Sequence, residues 1–348
     1  MPYSFSYASD LLATVNDKIM PGIADQVGTF SETLGLLTSS GRTDAQGKRV
    51  PQTKDELLSP DEFFRKTLRH TRGAARGSYK GYDVLNTSAT RQLDAARQDW
   101  LEYYVSVPIS DDEEIAARGS EATVRLWEDR INAGYADMAD LIATGIWNST
   151  ASRTGLQSKG LFGMRVLGVN SRSWMGINST SNTYWNPGVA NSTGYTIAQL
   201  TDPTHANYIL KLIRSNNLIL SIGGKMRPSH IITTKTVWGY IADAIEERQR
   251  ITTQITKSES GIETIRYDGL DITWDSYCPA YHMAFLSFDG LGGERVLGLK
   301  GRRDRWFHLR PPITPEDQMA KVAILVCHAV LYCSQPRLQG LFISVGAT

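Results

Sequence analysis

Between Ser120 and Trp147 the apolar residues Val124, Trp127, Ile131, Met138, Leu141 or Ile142, and Ile146 recur at steps of three and four. That spacing lays them along one face of an α-helix, with Glu128, Asp129, Arg130, Asp137 and Asp140 mostly between them. Ser120 can cap the start, no proline interrupts the run, and Asn148, Ser149 and Thr150 signal a stop. At ~1.5 Å per residue the helix is about 40 Å long, against the ~11 to 12 residues of an average one. The chain therefore folds around a rod, either as the core of an α+β domain or as the frame of an elongated subunit.

With 348 residues the chain can bury a sizeable core and has room for two or three domains. Hydrophobic residues at 41% and aromatic residues at 9% exclude wholesale disorder. Lys plus Arg (37) nearly equals Asp plus Glu (36), so no overall basic excess is present to hold nucleic acid by bulk charge. Cys278, Cys327 and Cys333 are too few and too badly spaced for a zinc site, and their odd number argues against a disulfide framework, which fits a reducing compartment. The opening MPYSFSYASDLLATV lacks the basic-then-apolar pattern of a signal peptide. The longest apolar run, Val322 to Ala329 and on to Cys333, contains His328 and is short of the ~20 residues that span a bilayer, so no membrane partner is expected.

Taken from the start, Ser9 or Asp10 can cap a short helix carrying Leu11, Leu12, Val15 and Ile19, closed by Pro21 and Gly22. From Gly28 to Leu58 large apolar residues are few, which predicts an extended arm lying on the same subunit or a neighbour. Ser59-Pro60-Asp61-Glu62 reads as a capping box opening a helix with Phe63, Phe64 and Leu68, ended by Gly73. From Gly73 to Ser110 the pattern becomes extended: Tyr82, Val84 and Leu85, then Leu93 and Trp100 to Val107, flank a polar centre at Asn86 to Arg91 and predict two long strands or a protruding hairpin. Pro108 is expected to end the last strand. Asp111, Asp112, Glu113 and Glu114 fit the solvated first turn of a helix better than a metal or acid/base site, because carboxylates are favoured there by the helix dipole.

After the long helix, Gly160-Leu161-Phe162-Gly163 opens a Gly, Ser and Asn-rich loop plugged by Trp174 and Trp185. Thr201-Asp202-Pro203 opens a helix through Ile209 to Leu220, closed by Gly223-Gly224. A strand at Ser229 to Thr233, a helix from Thr236 and a hairpin turning at Asp268-Gly269 follow. Catalytic patterns are missing: Gly41 to Lys48 has five residues between its glycines instead of four, no H-E-x-x-H or C-x-x-C occurs, and the six histidines are scattered. No enzyme activity, catalytic residue, metal ligand or cofactor is expected.

The C-terminal third runs as a strand (Cys278 to Leu286), a second strand (Arg295 to Leu299) and the basic turn Lys300-Gly301-Arg302-Arg303-Asp304-Arg305-Trp306. The proline-rich Pro311 to Gln318, the long apolar strand Ala320 to Cys333 and a proline-led final strand to Phe342 complete it. This order resembles the major capsid proteins of tailed double-stranded DNA bacteriophages, whose shared architecture is the Hong Kong 97-type fold. The resemblance extends back through Pro228 to Thr233 and Trp238, through Gly160-Leu161, to the long helix and the hairpin before it.

That resemblance implies an α+β fold with residues 1–58 as an N-terminal arm and 59–115 as an extended-loop region, its tip near Asn86 to Arg91. It implies a peripheral domain from 116–165 and 295–330, with 120–147 as its spine helix, and an axial domain from 166–294 and 331–348. The implied function is a major head protein that closes into hexamers and pentamers of an icosahedral shell around the double-stranded DNA genome, without sequence-specific binding. Arg302, Arg303, Asp304, Arg305, Glu316 and Asp317 are implied inter-subunit contacts, with Pro311 to Met319 meeting neighbours at three-fold positions. No long charge-rich helical segment precedes the arm, so a separate scaffolding protein is expected, beside portal and decoration proteins. Lys80 is the only lysine between Lys66 and Lys159, and crosslinking through it is not expected. The location implied is the virion, assembled in the bacterial host cytoplasm. An encapsulin-like nanocompartment shell shares the fold and is the alternative; a hydrolase using Asp268, Asp271 or His282 stands behind both.

Overall fold

A computed structural model of the chain describes residues 31–43, 49–51, 57–85, 87–116, 120–147, 173–191, 195–205, 208–223, 226–248, 255–257, 263–290, 295–316, 319–343 and 345. The helix expected between Ser9 and Gly22, and the Gly160-Leu161 segment, lie outside them. The first element among the described residues is a helix, α1 (Glu32–Thr38), where the composition predicts extended arm. Ser31 caps it, its hydroxyl accepting from Leu34 N at 3.3 Å, and Leu34, Leu36 and Leu37 are buried. Three leucines in four positions are too few for a core of their own, but they suffice to dock one short helix on the core of the same subunit.

Strands β1 (Ser39–Thr43) and β2 (Arg49–Pro51) pair antiparallel, and β3 (Leu58–Ser59) follows. The capping box then fails. Phe64–Arg69 is a strand, β4, and Ser59 Oγ donates to Asp61 Oδ2 at 3.0 Å instead of capping a helix. Phe64 and Leu68 are both buried, and residues four apart share a face in a strand as well as in a helix, so their spacing does not discriminate. β4 pairs antiparallel with β5 (Leu93–Gln98), Phe64 opposite Gln98 and Arg69 opposite Leu93. Tyr82, Val84 and Leu85 therefore lie in the open loop of the hairpin and not in its strands. β6 (Leu101–Ser110) alternates as expected and runs on through Pro108, opposite Val322 at the border of a sheet, where a missing N–H is tolerated.

The four acids open their own short helix, α2 (Asp111–Ala116), closed by a reciprocal box: Glu113 N donates to Ser110 Oγ at 3.2 Å, and Ser110 N to Glu113 Oε2 at 3.3 Å. The rod, α3 (Ser120–Trp147), has the bounds its periodicity predicts. β7 (Ser173–Trp174) and β8 (Ile177–Asn178) form a small hairpin, then come β9 (Val189–Asn191), α4 (Ile197–Thr201) and α5 (Ile209–Leu220). Asp202 does not open α5; it makes the turn before it, its Oδ1 accepting from Thr204 N at 2.8 Å and Thr204 Oγ1 at 2.7 Å. β10 (His230–Thr233), α6 (Lys235–Arg248), β11 (Ile255–Lys257), β12 (Glu263–Tyr267) and β13 (Leu270–Trp274) follow, the last two joined at Asp268 and Gly269, both with positive φ. The chain ends through β14 (Met283–Leu286), β15 (Leu297–Arg302), β16 (His308–Ile313), β17 (Ala320–Cys333) and β18 (Gly340–Phe342).

Two sheets organise these elements. In the five-stranded sheet β17 is central, with β6 along one edge and β15 then β16 along the other, so that Ala329 faces both Leu101 and Gly301. The rod runs back along β6. A Cβ at Gly134 would stand 2.7 Å from Val107 Cγ2, and Gly145 lies against the Tyr103 hydroxyl. The seven-stranded sheet has the order β11-β12-β13-β10-β14-β18-β9. Its central strands are buried on both faces: Ile232, Ala284 and Leu341 join the core under α3, whereas Ile231, Phe285 and Phe342 join a second core with α5 and α6. Each of the isoleucine, leucine and phenylalanine side chains contributes roughly 1.5–3 kcal/mol on burial. Gln339, fully buried, clasps the neighbouring ends of β14 and β18 by exchanging hydrogen bonds of 2.8 Å with Ser287 N and O.

Candidate assembly surfaces

The β4–β5 hairpin is anchored at its base and bare at its tip. Tyr184 donates its hydroxyl to Asp94 Oδ2 at 2.8 Å, and this bond holds the Asp94 carboxyl below the usual carboxylate range. The His70 ring stacks on Tyr184 at 4.7 Å, and Arg97 N donates to Met175 O at 2.9 Å in the β7–β8 turn. Behind that turn Trp174 and Trp185 are buried, Trp185 Nε1 donating to Trp174 O at 3.2 Å, so neither ring is offered to a ligand. Beyond the base, Tyr79 and Leu85 are exposed, and Tyr82 and Val84 reach 105% and 99% exposure, bare of the other described residues of the subunit. Apolar side chains held this far out invite a partner.

The charged turn sits where β15 meets β16. Lys300 and Arg302 belong to β15; Arg303, Asp304 and Arg305 form a 3-10 turn; and Phe307, with positive φ, drops back onto Tyr135 of α3. Gly301 is needed because the Trp306 ring occupies the place where a Cβ would stand. Arg303 and Asp304 are exposed, and Arg302 and Arg305 are half-buried. Burial, with Arg305 and Arg310 close by, holds His308 below its ordinary value of 6.5. Glu316 is exposed on the following loop, and Asp317 lies outside the described residues. The turn and the loop are thus on the surface but on different stretches of it, at the two ends of β16.

Of the four acids of α2, Glu113 binds Arg130 at 2.8 Å and Glu114 binds Lys321. The titratable groups that a hydrolase would need do not converge. Asp268 holds Asn217 Nδ2 at 3.0 Å and Asp271 holds Arg266 at 3.1 Å, both near the His230 end of β10. His282 sits at the opposite end, beside Met283, which pairs with Thr233. Burial pushes the Cys327 and Cys333 thiols up to about 12 and raises Cys278 as well, so none is a ready thiolate. Among the described residues no group of three His, Cys, Asp or Glu side chains could hold a metal ion, and no helix is long and apolar enough to cross a membrane.

Asp275 carries no sequence motif; buried, it receives α1 through Ser31 Oγ at 2.6 Å, Thr33 N at 3.0 Å and the Thr33 hydroxyl. Arg295 adds a bond to Leu36 O. A lone aspartate before Ser276 reads as turn former, and nothing local announces its partners.

No family model matches the sequence, and no curated protein is similar to it. Solved structures are. The capsid asymmetric unit of cyanophage A-1(L) is similar with a TM-score of 0.52 at 12% identity, over 90% of this chain and 93% of that one. A protein of Mycobacterium phage Bobi gives 0.52 at 8% identity, over 84% and 88%. The capsid of a native GTA particle gives 0.52 at 12% identity, over 86% and 93%. The chain has the mixed helix and strand fold of phage capsid proteins.

Proposed function

We propose that this chain is the major capsid protein of a tailed double-stranded DNA phage, with a Hong Kong 97-type fold. The observation that carries this reading is the hairpin tip: a subunit that projects Tyr82 and Val84 wholly into solvent is completed only by neighbours. The fold shared with phage capsid proteins over 84–90% of the chain supports it. Subunits close into hexamers and pentamers and tile an icosahedral shell around the genome, so that stability comes from many repeated contacts.

In this reading residues 1–58 are the arm, with α1 tethered home by Asp275, and 59–115 the extended-loop region. The peripheral domain takes 116–165 and 295–330, and the axial domain 166–294 and 331–348. Arg302, Arg303, Asp304, Arg305, Glu316 and Asp317 are rim contacts that set register between subunits more than affinity. Scaffolding, portal and decoration proteins are the other partners, and assembly takes place in the bacterial host cytoplasm. The protein holds its genome by enclosure and performs no catalysis. Negative-stain microscopy of the purified chain tests the proposal: rings or shells are expected, and a compact monomer at high concentration overturns it.

A further inference from the structure

The five-stranded sheet has two unlike faces. Tyr103, Val107 and Ile109 of β6 are buried on the side of α3, so Glu102, Tyr104 and Ser106 turn the other way. Register carries that second face across the sheet. Glu102 stands opposite His328 of β17 and Tyr104 opposite Val326, and Val326 in turn stands opposite His308 of β16. Arg310 follows His308 by two positions, opposite Ile324, and Arg302 lies one position beyond the Gly301–Ala329 pair, which puts both on the same face.

His328 is only 6% exposed, and its Nδ1 has no hydrogen-bond partner among the described residues. Nε of Arg302 is likewise buried and unpartnered. No ion pair joins Arg302, Arg305 or Arg310 to a described carboxylate. Burial holds the His328 imidazole below its ordinary 6.5; Glu102 opposes this, and Arg305, Arg302 and Arg310 add to it. His308 is held low by burial, Arg305 and Arg310, against Asp304. Cationic and protonatable groups from β15, the turn after it, β16 and β17 thus gather around two orphaned donors.

We infer that this face binds a tetrahedral oxyanion, a phosphate group, with Arg302 and His328 as buried donors and Arg305, His308 and Arg310 around them. One bound group answers both observations: it accepts from the orphaned donors and neutralises guanidiniums that otherwise repel one another. Donors arriving from three strands and a turn suit an acceptor with oxygens on several sides, as a phosphate has and a planar carboxylate has not. The site belongs to a single subunit and stands whether or not copies assemble. A bound anion also draws protons onto the two imidazoles, so binding strengthens as pH falls.

Titration calorimetry on the full-length chain tests this with sulfate, whose charge does not change near neutral pH, and with inorganic phosphate and a short DNA duplex. Sulfate is expected to bind with a Kd of about 1 mM or tighter at about pH 6, at least ~threefold more tightly than at about pH 8. Buffers of different ionisation heat should report net proton uptake on binding. R305Q/R310Q alters a half-buried and an exposed side chain; it should unfold thermally like the parent and weaken sulfate at least ~tenfold. H328Q should reduce the proton uptake; if that buried substitution unfolds the chain, uptake by the parent decides alone. Phosphate that displaces a bound duplex assigns the site to a phosphodiester backbone, and a duplex that fails to bind or to be displaced assigns it to the free anion; both outcomes support the site. No sulfate binding at millimolar concentration, binding without proton uptake, or equal binding by R305Q/R310Q overturns it. Rings or shells lost in R305Q/R310Q, with no sulfate bound by the parent, overturn it in favour of a contact between copies and leave the capsid reading standing.

Discussion

The carboxylate of Asp275 accepts the hydroxyl of Ser31 at 2.6 Å, a contact between residues 244 positions apart. The same oxygen takes Thr33 N and the Thr33 hydroxyl, while Oδ1 takes Tyr277 N at 2.9 Å. One buried side chain thus fastens the N-terminal helix to the loop after β13. Removing it strands several buried donors, each costing about 1–3 kcal/mol when unsatisfied, although such losses do not add fully. Asp275→Ala is expected to lose about 2–4 kcal/mol, read from the urea midpoint, and to open the chain before Ser39 to limited proteolysis. Parental stability and an unchanged digest would show that the contact is incidental.

The packing of the rod on β6 makes a second prediction. Gly134→Ala gains about 1 kcal/mol of helix propensity, but its Cβ would stand 2.7 Å from Cγ2 of Val107, a buried β-branched side chain with little freedom to turn away. Overpacking of this kind costs about 1–3 kcal/mol, so the variant should be less stable than the parent. At Gly145 the nearest atom is the Tyr103 hydroxyl at 3.0 Å, the end of a longer side chain, and Gly145→Ala should stay within about 1 kcal/mol. A double-mutant cycle of G134A with V107A checks the cause: the pair must cost less than the sum of the two.

Alkaline pH supplies the third. Burial lifts the Cys327 and Cys333 thiols from the ordinary 9.0, and the Tyr135 hydroxyl from 10.0, to about 12. Each raised group leaves the folded state at full advantage below its unfolded value. Above that value the unfolded chain releases the proton first, so stability falls as pH climbs from about 9 towards 12. Urea midpoints should be level from pH 7 to about 8.5 and decline beyond. At pH 8 a thiol reagent should find no reactive cysteine in the native protein and three after unfolding.

Several elements were legible because their signal is local. The rod repeats its apolar step over 28 residues, and β17 is an apolar run long enough to declare itself, so both ends of each coincide with the periodic pattern. The turn at Asp268 and Gly269 follows from the two residue types that accept positive φ. Phe64 and Leu68 show the opposite case. Their spacing suits helix and strand alike, the capping box tips the sequence reading towards helix, and pairing with β5 decides for strand. Pro108 likewise stays in its strand because β6 lies at a sheet border, a fact of topology.

By itself, the sequence determined the rod, the central strand and the tight turn at Asp268 and Gly269, because each depends on residues a few positions apart. Only the tertiary structure decided that Glu32–Thr38 is a helix docked through Asp275, that β4 is a strand, and that Tyr82 and Val84 are left bare. Those outcomes depend on which distant groups arrive beside a residue, and on which never do. A donor buried next to an acceptor 244 positions away is stabilised by burial and geometry that no local window contains.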